Sequence, residues 1–396
     1  MDGELVWLLW GLPIAFALGW IGSRWDLRQW RREERESPRA PARGLALLLH
    51  EKHDEAIDAL IATVQGDGET AELLFALGEL FRRRGEYDRA VRVHEHLLQR
   101  GDLTSAERAR AQHALAQTYL RAGLFDRAEA AFSELAGTDF DADAQSALLA
   151  LHERARDWTA ATAVARALES AGREVDGPPL AVRIAHHHCE RSVEADAAGR
   201  PDEAARELEA ARTAAPGHAR PLVLEGERAA KRGNPAAALA TWNALDVAQP
   251  PAFDLVARPY AKAARAVAAA AAGAPADADA ARALTAAKQH LAAVDARHPS
   301  VEVLLARVAL EDDPAVGHAL LAAHLDAHPT LAAAKAALDA GGDHVNAGLK
   351  TAVERAARPL HRFRCTNCGF EAEHHFWQCP GCLSWDTIPP QRLEDR

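Results

Sequence analysis

The distribution of hydrophobic and polar positions divides the chain into three parts. Leu5–Ser23 contains no charged residue, residues 45–345 repeat one pattern of apolar and polar positions, and residues 361–396 are rich in cysteine and aromatic residues. The 19 residues of the uncharged stretch would reach about 28 Å as one helix, which is close to the ~30 Å hydrocarbon core of a bilayer. The pattern therefore predicts a membrane anchor, a repeating middle region and a small C-terminal domain.

The residues around the uncharged stretch predict how it lies in the membrane. Indole rings favour the headgroup level, and tryptophans lie near both ends, at Trp7, Trp10, Trp20 and Trp25. Residues 24–44 carry more arginines than carboxylates, and a basic flank stays on the cytoplasmic side beside anionic lipid. We expect an anchor at residues 1–23, a basic juxtamembrane linker at 24–44, a periplasmic N-terminus and a cytoplasmic bulk. A cleaved signal peptide is the alternative, but Asp2 and Glu4 make its start acidic.

Two segments of the middle region are similar to each other. They read AELLFALGELFRRRGEYDRAVRVHEHLLQRGD from Ala71 and ARAQHALAQTYLRAGLFDRAEAAFSELAGTDF from Ala109. Their order of small, aromatic and glycine positions resembles the tetratricopeptide repeat, a pair of helices. Small residues let the two helices approach, and large residues reach the neighbouring pair. The matching residues are Leu74, Leu77, Gly78, Phe81, Gly85, Tyr87 and Ala90 in the first copy, and Leu115, Ala116, Tyr119, Gly123, Phe125, Ala128 and Phe132 in the second.

A small residue in the second helix aligns further copies of the repeat. It recurs at Ala56, Ala90, Ala128, Ala161, Ala204 and Ala238, at intervals of 34, 38, 33, 43 and 34 residues. The family period is ~34 residues, so we expect the extra residues in turns and eight or nine helix pairs over residues 45–345. The prolines that should end second helices are Pro216, Pro250, Pro299 and Pro329.

The later part of the repeat region fits the pattern least well. Residues 261–283 contain an alanine run followed by AGAPADADAAR at 272–282, which we expect to form a long turn. After the repeats, we expect a connecting helix at residues 346–360. The repeat count in this region is therefore the least defined.

Composition agrees with an all-α fold and excludes some functions. Hydrophobic residues make up 48% of the chain but aromatic residues only 6%, and alanine, the strongest helix former, supplies much of the difference. The net charge of −11 would repel a phosphate backbone, so nucleic acid is not expected as a partner. We expect a single transmembrane helix, a tetratricopeptide superhelix and a small C-terminal metal domain. A solenoid of this kind typically binds protein segments.

Four cysteines in the C-terminal domain give the clearest chemical signal. Cys365 and Cys368 form one C-x2-C pair, and Cys379 and Cys382 form a second pair ten residues later. A C-x2-C turn directs both sulfurs at one ion, and two such turns complete a tetrahedral four-sulfur shell. The pattern is similar to rubredoxin-like and zinc-ribbon folds. We expect one tetrathiolate-bound metal ion, either iron or zinc, against the alternative of free thiols or a disulfide.

A closed shell of four sulfurs leaves no position for a substrate, which favours a structural ion. We expect residues 361–396 to form this metal domain and to brace the last helix pairs. His361, His374 and His375 are not expected to replace a cysteine ligand. The aromatic residues expected in its core or docking face are Phe370, Phe376, Trp377 and Trp385.

No catalytic constellation accompanies the metal site. The sequence lacks a glycine-rich phosphate loop, a GxSxG elbow and an HExxH zinc helix, so we expect no enzyme and no catalytic or cofactor-binding residues. His186–Cys189 is similar to a soft-metal tract, but consecutive helical residues point in different directions. We expect these histidines to be packed or solvent-facing. Glu203, Glu207 and Glu209 are expected to form a solvated helix face.

The order of an anchor, a basic linker, tetratricopeptide repeats and a four-cysteine domain resembles the bacterial lipopolysaccharide assembly protein B family over essentially the whole chain. The resemblance implies an inner-membrane protein with its bulk in the cytoplasm. It implies an adaptor that restrains lipopolysaccharide synthesis by presenting the lipid A deacetylase LpxC to the membrane protease FtsH. It also implies contacts with other lipopolysaccharide assembly proteins. The alternatives are a rubredoxin-like electron-transfer protein docked by a repeat scaffold, and a general membrane-tethered scaffold or co-chaperone.

Overall fold

The computed structural model describes residues 68–271, 277–341 and 347–395. These residues form helices and one small two-stranded sheet. The expected anchor at 1–23, the linker at 24–44 and the repeat around Ala56 lie outside the described residues. Within the described ranges, no helix combines the length and the apolar character needed to cross a membrane.

Sixteen α-helices can be numbered in chain order within the described ranges. They are α1 (Gly68–Arg84), α2 (Tyr87–Gln99), α3 (Ser105–Ala122), α4 (Phe125–Ser133), α5 (Asp141–Ala155), α6 (Trp158–Ser170), α7 (Leu180–Ala197), α8 (Pro201–Ala214), α9 (Ala219–Lys231), α10 (Pro235–Ala248), α11 (Ala257–Ala271), α12 (Asp277–Arg297), α13 (Val301–Leu310), α14 (Pro314–Ala327), α15 (Leu331–Ala340) and α16 (Ala347–Ala357). Short 3-10 helices lie at Pro250–Leu255 and Leu393–Asp395. The strands are β1 (Phe363–Arg364) and β2 (Glu371–Ala372).

Consecutive helices follow one another as pairs joined by short turns. Helix α1 packs on α2, α3 on α4, α7 on α8, and α9 on α10, and the same holds for α11 with α12, α13 with α14 and α15 with α16. Leu149 of α5 shares a core with Ala161 and Ala165 of α6. The described residues therefore hold eight helix pairs, and the mostly helical tetratricopeptide architecture is confirmed.

Small residues permit the close approach of paired helices. The aligned alanines within the described ranges are all fully buried, at Ala90, Ala128, Ala161, Ala204 and Ala238. A methyl group on Gly78 would overlap the His94 imidazole of the next helix, and one on Gly226 would overlap the Trp242 indole. The expected function of the small positions is therefore confirmed at the atomic level.

Turn lengths account for the irregular spacing of the repeats. The longest interval, between Ala161 and Ala204, contains the connection at residues 171–179 between α6 and α7. The second helices α8, α10, α12 and α14 all end two residues before their expected prolines. One expectation is wrong, because α12 begins at Asp277 and so residues 277–282 of the expected turn are helical, while residues 272–276 lie outside the described residues. The high helix propensity of alanine explains the difference.

The chain divides into two compact units, and the division falls inside α5 between Leu148 and Leu149. In the first unit, α1 and α2 enclose an apolar core around Leu74, Phe81 and Leu97. The first unit also contains α3 and α4. The second unit contains the rest of α5, helices α6 to α16 and the C-terminal four-cysteine domain. Its largest core surrounds Trp242 and Phe253 and extends to Trp377 of that domain.

Candidate metal centre and its docking site

The C-terminal domain, called the ribbon below (residues 361–395), is built of two similar turns. In the first, β1 and β2 pair antiparallel, with Phe363 opposite Ala372 and Arg364 opposite Glu371, and the first cysteine pair lies between them. In the second, the bridge between Gln378 and Trp385 encloses the second cysteine pair. Each pair therefore lies in a tight turn held by backbone hydrogen bonds across its ends.

The two turns share one backbone geometry. The Gly369 N–H donates to the Cys365 carbonyl at 3.0 Å, and the Leu383 N–H donates to the Cys379 carbonyl at 2.8 Å. Both residues that follow a C-x2-C pair are left-handed, with φ of 76° at Gly369 and 59° at Leu383. Glycine adopts this conformation without strain, whereas leucine does so at a cost.

The four sulfurs are spaced for one tetrahedral ion. The Sγ atoms of Cys365 and Cys382 lie 3.8 Å apart, those of Cys368 and Cys379 lie 3.6 Å apart, and all four fall within 4.8 Å of one another. A tetrahedron with metal–sulfur bonds of ~2.3 Å has edges of about 3.8 Å. The arrangement is consistent with a tetrathiolate metal site, and its geometry fits zinc and iron alike.

Hydrogen-bond donors surround the sulfurs and stabilise thiolate. Burial raises the pKa of Cys382. Hydrogen bonds from the Ser384 side chain and backbone and from the Asn367 side chain outweigh burial and lower this pKa to about 6. Burial raises the pKa of Cys379 to about 12. A bound cation would stabilise all four as thiolates, because the thiolate is the ligating form.

Other residues named from the sequence lie outside the sulfur cluster. His375 Nε2 donates to the Ile388 carbonyl at 2.8 Å, and His361 and His374 do not join the cluster. Phe370 packs on the ribbon core around Phe363, whereas Phe376 is 38% exposed.

Trp385 and Asp386 attach the ribbon to the helices of the same unit. The Trp385 ring stacks on His186 of α7 with centroids 4.5 Å apart and planes at 14°, and it meets Trp158 edge to face at 6.0 Å. The Asp386 carboxylate accepts from His186 Nε2 at 2.9 Å and lies 3.4 Å from His218 Nε2. The ribbon thus covers side chains of α6 and α7 as well as the later helices, a wider contact than the expected brace of the last pairs.

The hydrogen bonds around His186 define its protonation. Its Nδ1 lies 3.3 Å from an Arg220 guanidinium nitrogen, which can only donate, so Nδ1 accepts and Nε2–H donates to Asp386. Burial lowers the pKa of His186 to about 4, so the ring is neutral at pH 7. His186, His218 and Asp386 lie within 4.8 Å of one another, but the adjacent guanidinium repels a cation there.

The histidine tract of α7 is packed, and one expectation about the neighbouring glutamates is wrong. His187 Nε2 binds Glu153 at 2.8 Å, and Glu153 also accepts from Arg183. His188 Nδ1 binds Glu207 at 2.7 Å. Glu207 is therefore buried, not solvated as expected, because its partners His188 and Arg191 come from the preceding helix. Glu209 is exposed and Glu203 half-buried.

The end of the ribbon binds two helix N-termini. Arg392 Nε donates to Glu302 at 2.9 Å. Asp395 accepts from the Val301 N–H at the start of α13, and Glu394 accepts from the N–H groups of Leu331 and Ala332 at the start of α15. Carboxylates in these positions satisfy free N–H groups and the positive ends of the helix dipoles. Sequence reasoning missed these contacts and Asp386, because their partners lie 62 to 200 residues away.

Family models match both parts of the molecule. A model described as rubredoxin metal binding domain matches residues 363–390, and a tetratricopeptide repeat model matches residues 73–109. The four cysteines thus lie within the matched ribbon segment. Tetratricopeptide repeats are of a kind that typically mediates protein–protein contact.

Two relatives align with nearly the whole chain. Lipopolysaccharide assembly protein B of Escherichia coli (strain K12) is 30% identical over 399 residues, which cover 98% of each chain. Lipopolysaccharide assembly protein B of Haemophilus influenzae (strain ATCC 51907 / DSM 11121 / KW20 / Rd) is 25% identical over 409 residues, again 98% of each chain. The order of repeats and ribbon agrees with these matches, and the chain belongs to the lipopolysaccharide assembly protein B family.

Proposed function

We propose that this chain is a membrane-anchored adaptor that restrains lipopolysaccharide synthesis by bringing the deacetylase LpxC to the protease FtsH. The observation that carries the proposal is the alignment with lipopolysaccharide assembly protein B over 98% of both chains. The tetratricopeptide repeats support it, since stacked helix pairs offer an extended surface for protein segments.

The mechanism we propose is proximity. Residues 1–23 anchor the chain in the inner membrane, residues 24–44 link the anchor to the repeats, and the bulk lies in the cytoplasm. Confinement to the bilayer surface raises the effective concentration of two partners that bind the same scaffold, without any chemistry by the scaffold itself.

The ion that we assign to Cys365, Cys368, Cys379 and Cys382 has a structural role in this proposal. With four sulfur ligands it has no open position for a substrate. It supplies folding free energy to a ribbon with a small core, and the folded ribbon then holds Trp385 and Asp386 against the helices.

Depletion of the protein tests the proposed function. We expect LpxC to be degraded more slowly, measured as its half-life after synthesis is stopped. Full-length protein should restore the degradation rate, whereas a variant without residues 1–23 at equal abundance should not. An unchanged LpxC half-life after depletion would contradict the proposal and leave a general anchored scaffold. Crosslinking in membranes would then identify the partners of that scaffold.

The match to a rubredoxin metal binding domain favours one second candidate, an electron carrier. A ferric tetrathiolate is coloured and bleaches on reduction, whereas zinc is colourless. Metal analysis and the visible spectrum of the purified chain distinguish the two ions. Electron transfer further requires turnover with a reductase, because an iron ion can also be structural.

A further inference from the structure

A cavity lies between the last helix pairs and the ribbon. It measures about 960 Å³, and its walls come from α11, α13, α15, α16 and the ribbon. This volume is at the upper end of the ~300–1,000 Å³ typical of ligand pockets. It is separate from the sulfur cluster and from the contact between Trp385 and His186, and neither the metal site nor the docking of the ribbon accounts for it.

The cavity is basic although the whole chain is acidic. Five lysine and arginine side chains line it against three carboxylates, in a protein of net charge −11. The basic residues are Arg258, Lys335, Arg355, Arg358 and Arg392, and the carboxylates are Asp339, Glu354 and Glu373. Burial, followed by the charge of Arg392, lowers the pKa of His361 on the same wall, in agreement with a positive potential.

Part of this positive charge is not neutralised by the residues that the structure describes. Lys335 pairs with Asp339 at 3.1 Å, and Arg258 and Arg392 share Glu302 outside the cavity lining. Arg355 and Arg358 are exposed and form no ion pair with the residues that the structure describes. Arg355 lies in the last turn of α16, and Arg358 directly follows that helix, with its N–H donating to the Glu354 carbonyl at 3.0 Å. The two residues therefore lie on one side of the helix end, where two guanidinium groups can bind carboxylates through paired hydrogen bonds.

The rest of the lining is mixed, with Thr351, His361 and His374 beside four aliphatic residues. The aliphatic residues are Leu305, Ala332, Ala336 and Ala357. Alanine leaves space for the side chains of a ligand, and leucine gives an apolar contact. A lining that mixes arginine, carboxylate and aliphatic groups suits a chain with alternating chemistry better than a single compact anion.

We propose that this cavity binds an acidic, extended segment of a partner protein, through Arg355 and Arg358. The inference rests on the proposed adaptor function and names the chemistry of one docking segment. The chain's own residues 24–44 are excluded by charge, because arginines outnumber carboxylates there. A bilayer is excluded by shape, since its flat surface cannot enter a cavity between helices and ribbon.

The test measures binding of a defined peptide to the full-length protein in detergent. The probe is a fluorescent peptide of alternating glutamate and leucine, read by fluorescence anisotropy, with a lysine–leucine peptide as the opposite charge. We expect the acidic peptide to bind and Arg355→Glu/Arg358→Glu to weaken it about tenfold or more, since two favourable charge pairs become repulsive. Arg355→Lys/Arg358→Lys should retain part of the affinity.

The matched control is Arg121→Glu/Arg206→Glu, which changes the net charge equally at exposed helix positions away from the cavity lining. Its affinity should stay within about twofold of the parent protein. The inference would be overturned if both double variants lost peptide affinity equally or if the parent protein did not bind the acidic peptide. Displacement of the peptide by anionic lipid vesicles would also overturn it. Circular dichroism checks that both variants fold.

The LpxC half-life separates this inference from the proposed function. If depletion leaves the half-life unchanged, the proposed function fails whatever the peptide result. If depletion lengthens the half-life but the glutamate variant binds peptide normally, only the acidic docking segment is wrong.

Discussion

Two glycines determine how closely paired helices pack. Gly78 lies against the His94 imidazole and Gly226 against the Trp242 indole, and Trp242 is fully buried. Because the neighbouring ring already occupies the space of a side chain, even alanine forces the helices apart. At a third helical glycine, Gly317, an added Cβ atom would lie 3.4 Å from Val308 Cγ1. This distance is an ordinary van der Waals contact.

We expect Gly226→Ala to destabilise the protein by about 1–3 kcal/mol, because the methyl group overpacks the contact with Trp242. Urea unfolding followed by circular dichroism measures the change. Gly317→Ala is the matched control and should be neutral or stabilising by up to ~1 kcal/mol, since alanine has the higher helix propensity. Equal stability of the two variants would show that close approach at Gly226 is not required.

Asp254 combines burial with a single hydrogen bond. It accepts from the Ser300 hydroxyl at 2.7 Å, and burial raises its pKa to about 7. An unfolded aspartate has a pKa of ~3.9, so between these values the folded state binds the extra proton. The contribution of Asp254 to stability is complete below the lower pKa and is lost as the pH rises through the higher one.

We expect Asp254→Asn to raise the free energy of unfolding at pH 8 by roughly 1–3 kcal/mol, because the amide keeps an acceptor for Ser300 without a buried charge. The gain over the parent protein should shrink towards pH 5. Unfolding curves at several pH values measure it. Asp139→Asn, at an exposed aspartate, should show no such trend, and a gain independent of pH would contradict the titration of Asp254.

At the scale of elements, the ribbon and α7 form one assembly. His186 is fully buried and lies beneath Trp385, which is 3% exposed. The Arg220 guanidinium lies 5.7 Å from the centroid of the Trp385 ring and also pairs with Glu190 at 2.6 Å. Removal of the ribbon would therefore expose an aromatic surface and leave buried polar groups without partners.

We expect Trp385→Ala to cost about 3–5 kcal/mol, the usual loss for a buried tryptophan. Amide hydrogen exchange in α7 should accelerate, because the helix loses its cover. Phe376→Ala removes an aromatic side chain of the ribbon that is 38% exposed and should leave exchange in α7 unchanged. Unchanged α7 exchange in the Trp385 variant would contradict the docking role.

The sequence predicts those features of the helices and the ribbon that depend on local patterns. The cysteine pairs and the small positions of the repeats are local patterns, and the structure agrees with both. Glu207 looks like a surface glutamate in a polar helix, and only its contact with His188 makes it buried. The pairing of Asp386 with His186 spans 200 residues, so no periodicity could reveal it.

At the scale of the whole molecule, we propose that metal binding and helix packing are coupled through the ribbon. An ion bound by the four sulfurs would hold the two turns together, and the second turn leads directly to Trp385 and Asp386. A metal-free ribbon loses the folding free energy of the site, so the contacts with α7 lose their support.

We expect Cys382→Ser to reduce the bound metal to well below one ion per chain and to accelerate hydrogen exchange in both the ribbon and α7. Metal analysis and hydrogen exchange measure the two effects. Cys189→Ala is the control, because Cys189 is a buried core residue outside the sulfur cluster. Helices α1 and α2 of the first unit should exchange as in the parent protein, and unaltered exchange in α7 would contradict the coupling.

The long reach of Asp386 has a consequence for biosynthesis. Repeat proteins whose units contact only their neighbours can acquire structure progressively as they leave the ribosome. Here His186 receives its carboxylate partner only after 200 further residues have been made. The helices around His186 therefore remain uncovered by the ribbon until Asp386 has been translated, and during this interval their aromatic and charged surface is accessible to chaperones and proteases.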